Sequence, residues 1–236
     1  MEIHIKQFQR LRSFLDLEHK GLIVTTQTND SAEIDNQLLS EINEAFQWLL
    51  EHIEVKFVHL QIHLENANNP TFAETKSLLD YRHQFKSLIS QAKYLPQTVI
   101  LDMKGSFELF WAELLPIGDI IICSTDTSFH FNHTLKGHIP ILEPKKIVGD
   151  QTSTNLIKKL FLCPLPTKAR ELQNNHVITD VFENDQERDR LVSSLKKSIS
   201  NQSPANRIQL KAIIQNSSTI STNTNLFQGE EFTRAA

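Results

Sequence analysis

Short apolar runs alternate with amphipathic stretches along most of the chain, and this alternation constrains the fold more than any other feature. The apolar runs at 55–64, 98–103 and 119–123 are typical of buried strands. The stretch 34–50 repeats its apolar residues at helical spacing, and a second amphipathic helix is expected to begin near Lys76. Strands that alternate with helices in this way predict an α/β fold.

The rest of the chain divides by the same patterns. Residues 14–26 predict two short strands around a turn at Lys20-Gly21, and residues 107–115 predict a helix that stops at Pro116. Further helices are expected at 155–162, 167–173, 185–199 and 204–216, and a strand at 177–182. The last stretch, 217–236, is rich in Ser, Thr and Asn, and we expect a disordered tail there.

Length, charge and cysteine content narrow the class of protein. The 236 residues suffice for one large domain, and a net charge of -4 without a basic cluster argues against a nucleic-acid partner. Cys123 and Cys163 stand in apolar surroundings, which predicts two buried thiols in a reducing compartment. The sequence shows no secretory signal and no apolar run long enough to span a membrane, so we expect a soluble cytoplasmic protein.

One carboxylate stands inside the most apolar part of the sequence. Glu113 lies in the run LFWAELLP, residues 109–116, between aromatic and aliphatic neighbours. A buried carboxylate is costly unless it is paired or protonated. Glu113 is therefore either a partly exposed helix residue without a role or a member of a functional site.

Two groups of histidines call for an interpretation. His130, His133 and His138 match no standard zinc spacing, so we interpret them as a chance cluster in a loop and predict no metal site. His59 and His63 share one face of the predicted strand at 55–64. A parallel strand that is buried on both faces would not carry such polar residues, so they indicate an edge strand or a polar interface.

Several short motifs follow one another in a consistent order. Pro96 and Gly105 precede the triplet LFW at 109–111, after which come EL at 113–114 and GDIIIC at 118–123. FHFNH at 129–133, Gly137 and Pro140, NNHV at 174–177 and SPA at 203–205 then follow. In this order and spacing they resemble, over about residues 14–211, the crotonase superfamily, also called the enoyl-CoA hydratase/isomerase family.

The resemblance implies a fold and an assembly. The fold would be a crotonase-like (ClpP/crotonase) spiral of βαβ units over residues 1–183. A helical C-terminal region at 184–216 and the tail at 217–236 would follow this core. Members of the family are usually homotrimers or dimers of trimers, so the resemblance implies one of these assemblies here.

The resemblance also assigns roles to individual residues. In this family two backbone N–H groups polarise the carbonyl of an acyl-CoA thioester, and they match the N–H groups of Glu74 and Phe110. Glu113 matches the first of the two hydratase carboxylates, and His133, which can serve as a general base, stands at the second. Lys211 stands where family members often approach the phosphate of CoA. The resemblance implies no cofactor, and acyl-CoA is the expected substrate or ligand.

Two classes of function stay open at this point. The first is an active acyl-CoA lyase, isomerase or thioester hydrolase that uses Glu113 and His133 as acid and base. The second is a non-catalytic homologue, kept as a binding or assembly partner in acyl-CoA (fatty acid) metabolism. Bulky residues at 109–111 replace the glycines of the family, and His133 replaces its second carboxylate, so ordinary hydratase activity is not expected and the second class is favoured.

Overall fold

A mostly parallel sheet forms the centre of the molecule. The computed structural model describes residues 8–26, 36–64, 75–149 and 151–220, and it leaves the side chains of 75–78, 204 and 215–220 undescribed. The strands are β1 (Leu11–Asp16), β2 (Gly21–Thr26), β3 (Phe57–Leu64), β4 (Thr98–Glu108), β5 (Ile120–Ser124), β6 (Ser128–His130), β7 (Thr167–Lys168) and β8 (Asp180–Phe182). The main sheet runs in the order β1-β2-β3-β4-β5-β8, with β1 antiparallel to β2 and all other neighbours parallel.

Helices fill the connections between the parallel strands. They are α1 (Asn36–Glu51), α2 (Thr75–Tyr94), α3 (Pro144–Val148), α4 (Thr154–Leu162), α5 (Ala169–Asn174), α6 (Asp185–Ser200) and α7 (Pro204–Ile220). Two 3₁₀ segments, Leu109–Ile117 and Thr134–Lys136, complete the described elements. In the part of the chain that the structure describes, no helix is long and apolar enough to cross a membrane.

The long strand β4 belongs to two sheets. Its first part pairs with β3 and β5 in the main sheet, whereas Ser106, Phe107 and Glu108 pair with β6, which in turn pairs with β7. Gly105 stands at the transition with φ +122°, a conformation that side chains disfavour. The strand therefore leaves the main sheet at Gly105 and carries the following 3₁₀ segment away from it.

Apolar side chains cover both faces of the main sheet. A large core joins one face to α1, α2, the first 3₁₀ segment, α3 and α4. A smaller core joins the other face to α6 through Phe57, Ile100, Ile122, Val192 and Ile199. The predicted α/β architecture is confirmed, and residues 109–117 lie inside the larger core.

Two local predictions were wrong, and a third was confirmed only in part. Residues 107–115 do not form one helix, because β4 continues to Glu108 and a 3₁₀ segment follows with Pro116 inside it. The strand expected at 177–182 is confined to Asp180–Phe182. Cys123 is buried as expected, but Cys163 is exposed because it lies at the end of α4.

The boundaries of the C-terminal region stay a prediction. α6 and α7 occupy the segment for which a helical region was expected, and α7 continues to Ile220, beyond the expected end at residue 216. Residues 221–236, which hold most of the expected tail, lie outside the described residues.

Candidate functional site

Glu113 is fully buried, and both oxygens of its carboxylate accept hydrogen bonds. One oxygen, Oε1, accepts a bond from His133 Nε2 at 2.8 Å and from the backbone N–H of Ile141 at 3.0 Å. The other, Oε2, accepts from the backbone N–H of Leu142 at 2.8 Å. Hydrogen bonds to an ionised carboxylate are stronger than neutral ones, so Glu113 fastens the segment 133–142 to the core.

His133 lies next to Glu113 and is also fully buried, and the catalytic roles that the resemblance implies for the two residues stay a prediction. Its ring stands edge-on to Phe110, with centroids 5.6 Å apart, and stacks on Phe161 at 6.4 Å. In the neutral ring, a proton on Nε2 that bonds to Glu113 leaves Nδ1 as an acceptor. This Nδ1 atom is buried and has no hydrogen-bond partner. The bond to Glu113 therefore fixes the orientation of the His133 ring, and the Nδ1 atom of His133 can act as a base.

Aromatic side chains occupy the space around this pair. Phe110 and Trp111 are 1% and 0% exposed. Phe110 contacts the rings of Tyr81 and His138 at centroid distances of 5.2 and 5.8 Å, and Trp111 packs edge-on against Phe107 at 6.3 Å. The family resemblance places a glycine triplet at 109–111. Here the side chains of Phe110 and Trp111 form part of the core at these positions.

The backbone at this triplet keeps a conformation that suits glycine. Leu109 has φ +48°, in the left-handed region, although its side chain is buried in the core. A residue with a Cβ atom takes this conformation at a cost of about 1–2 kcal/mol. The chain therefore retains a glycine-like turn just before the predicted oxyanion donor Phe110. The second predicted donor, Glu74, lies outside the described residues, so the two N–H groups remain a prediction.

Lys211 is not brought together with the other predicted residues. Its Nζ atom donates to the carbonyls of Ala92 at 3.2 Å and Gln97 at 3.1 Å, and to Asp119 Oδ2 at 2.7 Å. These partners lie where β4 and β5 begin, whereas Glu113 follows the other end of β4. All three donors of the ammonium group are engaged there. The assignment of Lys211 to a CoA phosphate stays a prediction.

A second polar cluster lies on the opposite face of the sheet. Asp102 is buried and accepts bonds from His59 Nε2 at 3.0 Å and from Arg188 Nε at 2.7 Å. His59 Nδ1 lies 3.4 Å from Gln61 Nε2, and Gln61 Oε1 accepts a bond from Thr25 at 2.7 Å. Because β3 lies between β2 and β4, an edge position for the polar face of β3 is excluded, and a polar interface with α6 explains it.

Charge and burial fix the protonation of this cluster. Burial alone would raise the pKa of Asp102, but the hydrogen bond from His59, the ring of His63 at 3.6 Å and the charge of Arg188 hold that pKa well below its ordinary value. Burial lowers the pKa of His59, and the neighbouring Asp102 opposes that shift. The cluster therefore holds an ionised carboxylate, a neutral imidazole and a guanidinium, and it ties α6 to the sheet.

Solved structures of other proteins share the fold. DspI from Pseudomonas aeruginosa aligns with a TM-score of 0.81 at 13% identity, over 94% of this chain and 93% of that chain. An enoyl-CoA hydratase from Mycobacterium smegmatis aligns with a TM-score of 0.78 at 14% identity, over 91% and 88%. An enoyl-CoA hydratase from Bacillus halodurans gives a TM-score of 0.78 at 14% identity, over 92% and 91%.

These structural alignments identify the fold of the chain. The chain has the crotonase-like fold that enoyl-CoA hydratase/isomerase proteins share, which confirms the predicted fold. A scan against protein-family profiles and a search of curated proteins each found no match. At identities of 13–14% the likeness shows the fold alone.

Proposed function

We propose that this chain is a non-catalytic crotonase-fold protein that serves as a binding or assembly partner in acyl-CoA metabolism. The observation that carries the proposal is the bonding of Glu113. A carboxylate that activates water needs an oxygen free to take a proton, and one that positions water must contact that water. Here His133, Ile141 and Leu142 take three of the roughly four acceptor sites of the carboxylate, which leaves little capacity for water.

The packing around Glu113 supports the same conclusion. Phe110 and Trp111 are buried in the core where the family resemblance has small residues. An acyl chain that entered beside Glu113 would have to displace these rings, and displacing packed aromatic side chains is costly. An acyl group is therefore not bound next to Glu113.

One alternative function has an observation in its favour. The buried Nδ1 atom of His133 has no partner, and Glu113 holds the ring as a carboxylate holds a catalytic histidine. Together with the glycine-like turn at Leu109, this arrangement suits a lyase, an isomerase or a thioester hydrolase. In such an enzyme, His133 would be the base and Glu113 would position it.

Calorimetric titration of the full chain with CoA, butyryl-CoA and octanoyl-CoA tests the proposal. We expect that affinity does not rise with acyl length, because the chain does not enter the core beside Glu113. An acyl group that enters an apolar pocket gains about 0.8 kcal/mol for each buried CH₂ group, which is about fourfold in affinity. A steady gain of that size along the series would contradict the proposal and favour the enzyme.

The expected assembly is a separate part of the proposal. The family resemblance suggests a homotrimer or a dimer of trimers, and a protein with a role in assembly would keep such a contact surface. Light scattering on the purified full chain measures the mass directly. A trimer or hexamer is the expected result, and a monomer at micromolar concentration would remove this part of the proposal.

A further inference from the structure

A pocket of about 270 Å³ lies where β4 and β5 begin, at the end of the sheet opposite Glu113. Helix α7 forms one wall and the end of α6 another. Four apolar side chains line it, Ile120, Ile199, Leu210 and Ile214, of which Leu210 and Ile214 are more than half exposed and form its open side. The pocket is thus separate from the candidate site, and its apolar part suits an aliphatic group.

One charged side chain in this pocket, Arg207, has hydrogen-bond donors without acceptors. Arg207 is 4% exposed, and its Nε atom donates to the carbonyl of Pro96 at 3.1 Å. Its Nη1 and Nη2 atoms are buried and have no hydrogen-bond partner. A guanidinium stays charged in proteins, and a buried charge without a partner is unfavourable. The unmatched atoms therefore indicate a missing acceptor.

The other charges of the pocket balance one another. Lys211 lies one helical turn after Arg207 and pairs with Asp119 at 2.7 Å. This pair is neutral overall, so Arg207 leaves the pocket with one uncompensated positive charge. A ligand with a single negative charge would complete the balance, and it would sit at the Arg207 end, away from Asp119.

We propose that this pocket binds a small aliphatic monocarboxylate. The two carboxylate oxygens accept bonds from the Nη1 and Nη2 atoms of Arg207, and the chain packs against Ile199 and Leu210. The planar fork of a guanidinium matches two carboxylate oxygens, which favours this group over a single-oxygen acceptor. The volume lies near the lower end of ligand pockets, about 300 Å³, which suits a small ligand.

The test is a titration of the full chain with sodium octanoate, followed by calorimetry and by thermal unfolding. Acetate supplies the head group alone, and 1-octanol supplies the aliphatic body alone. We expect octanoate to bind and to raise the melting temperature, and each partial probe to bind at least tenfold more weakly. Equal binding of 1-octanol would contradict the proposed role of the carboxylate.

Three variants locate the binding. Arg207→Gln removes the fork, and Leu210→Trp fills the apolar wall without changing charge; each should weaken octanoate binding at least tenfold. Arg190→Gln, on an exposed part of α6, is the matched control and should leave affinity unchanged. Binding that survives in both pocket variants would overturn the proposal. If the Arg207 variant does not fold, the Leu210→Trp variant still tests whether octanoate binds in this pocket.

Further probes separate the sources of the carboxylate. A short peptide that ends in leucine with a free carboxylate, compared with its amidated form, tests a protein C-terminus as the natural ligand. If the free peptide binds and octanoate does not, the carboxylate chemistry holds but the small molecule is wrong. If neither binds at millimolar concentration, or if inorganic phosphate binds more tightly than octanoate, the proposal is overturned.

Discussion

At the scale of single residues, Glu113 holds the segment 133–142 to the core through its hydrogen bonds. Its three bonds join the 3₁₀ segment to His133, Ile141 and Leu142. Two of the donors are backbone N–H groups, and the sequence carries no sign of such donors. The motif order matched Glu113 and His133 to two catalytic positions of the family, but it did not reveal the hydrogen bonds that Glu113 makes.

Replacing Glu113 with glutamine should destabilise the protein by about 2–4 kcal/mol. The amide offers one acceptor oxygen, so a buried N–H group of Ile141 or Leu142 would face another donor. Urea denaturation measures the change in the free energy of unfolding. The control Glu143→Gln breaks only an exposed pair with Lys146 and should cost about 0.5 kcal/mol or less. Equal effects of the two variants would contradict this role for Glu113.

The buried Asp102 should make stability depend on pH. Its pKa lies below the ordinary 3.8 in the folded protein, so the unfolded chain takes up a proton first as pH falls. The stabilisation by Asp102 is therefore fully present above pH 3.8 and is lost as pH falls from there toward the folded pKa.

Asp102→Asn should cost about 3 kcal/mol at pH 7, because it removes the buried carboxylate that pairs with the partly buried Arg188 and leaves that charge with only the exposed Asp189, 3.4 Å away. The difference from the unmodified chain should shrink as pH falls below about 4. Urea denaturation at several pH values between 3 and 7 provides the test, with the exposed Asp189→Asn as the control. A constant difference over the whole range would show that the carboxylate of Asp102 is not the cause.

At the scale of elements, β4 decides where the candidate site lies. The sequence predicted its first half from a run of apolar residues at 98–103, but placed a helix at 107–115. The error has a physical cause, because Gly105 lets the strand turn and join β6 instead of ending. Local patterns do not reveal a partner strand such as β6, which is three residues long. The link between Asp102 and Arg188, which are 86 residues apart, was hidden for the same reason.

Gly105→Ala should destabilise the protein by about 3–5 kcal/mol. A Cβ atom at this position would lie 1.9 Å from the carbonyl oxygen of Leu64, and φ is +122°. Gly137→Ala is the matched control, since Gly137 also has a positive φ, +73°, but no atom beyond its two chain neighbours lies within 4 Å of its Cβ position. That variant should cost about 1–2 kcal/mol. Thermal and urea unfolding compare the two, and a milder effect at Gly105 would contradict the strand path.

At the scale of the whole molecule, the order of motifs carried more information than any single motif. That order predicted the crotonase-like fold, and structures with TM-scores of 0.78–0.81 confirm it. The fold did not decide the chemistry, because function depends on particular side chains in a site. Here the decisive contacts, between Glu113 and the backbone at 141–142, became visible only in three dimensions.

The most direct test of the central claim is turnover of crotonyl-CoA by the full chain, followed through the absorbance of its conjugated double bond. An active enoyl-CoA hydratase serves as the assay control. If Glu113 is committed to holding the segment 133–142, no hydration above the protein-free rate is expected. Turnover that falls at least a hundredfold in a folded Glu113→Gln variant would contradict the account and establish Glu113 as a catalytic residue.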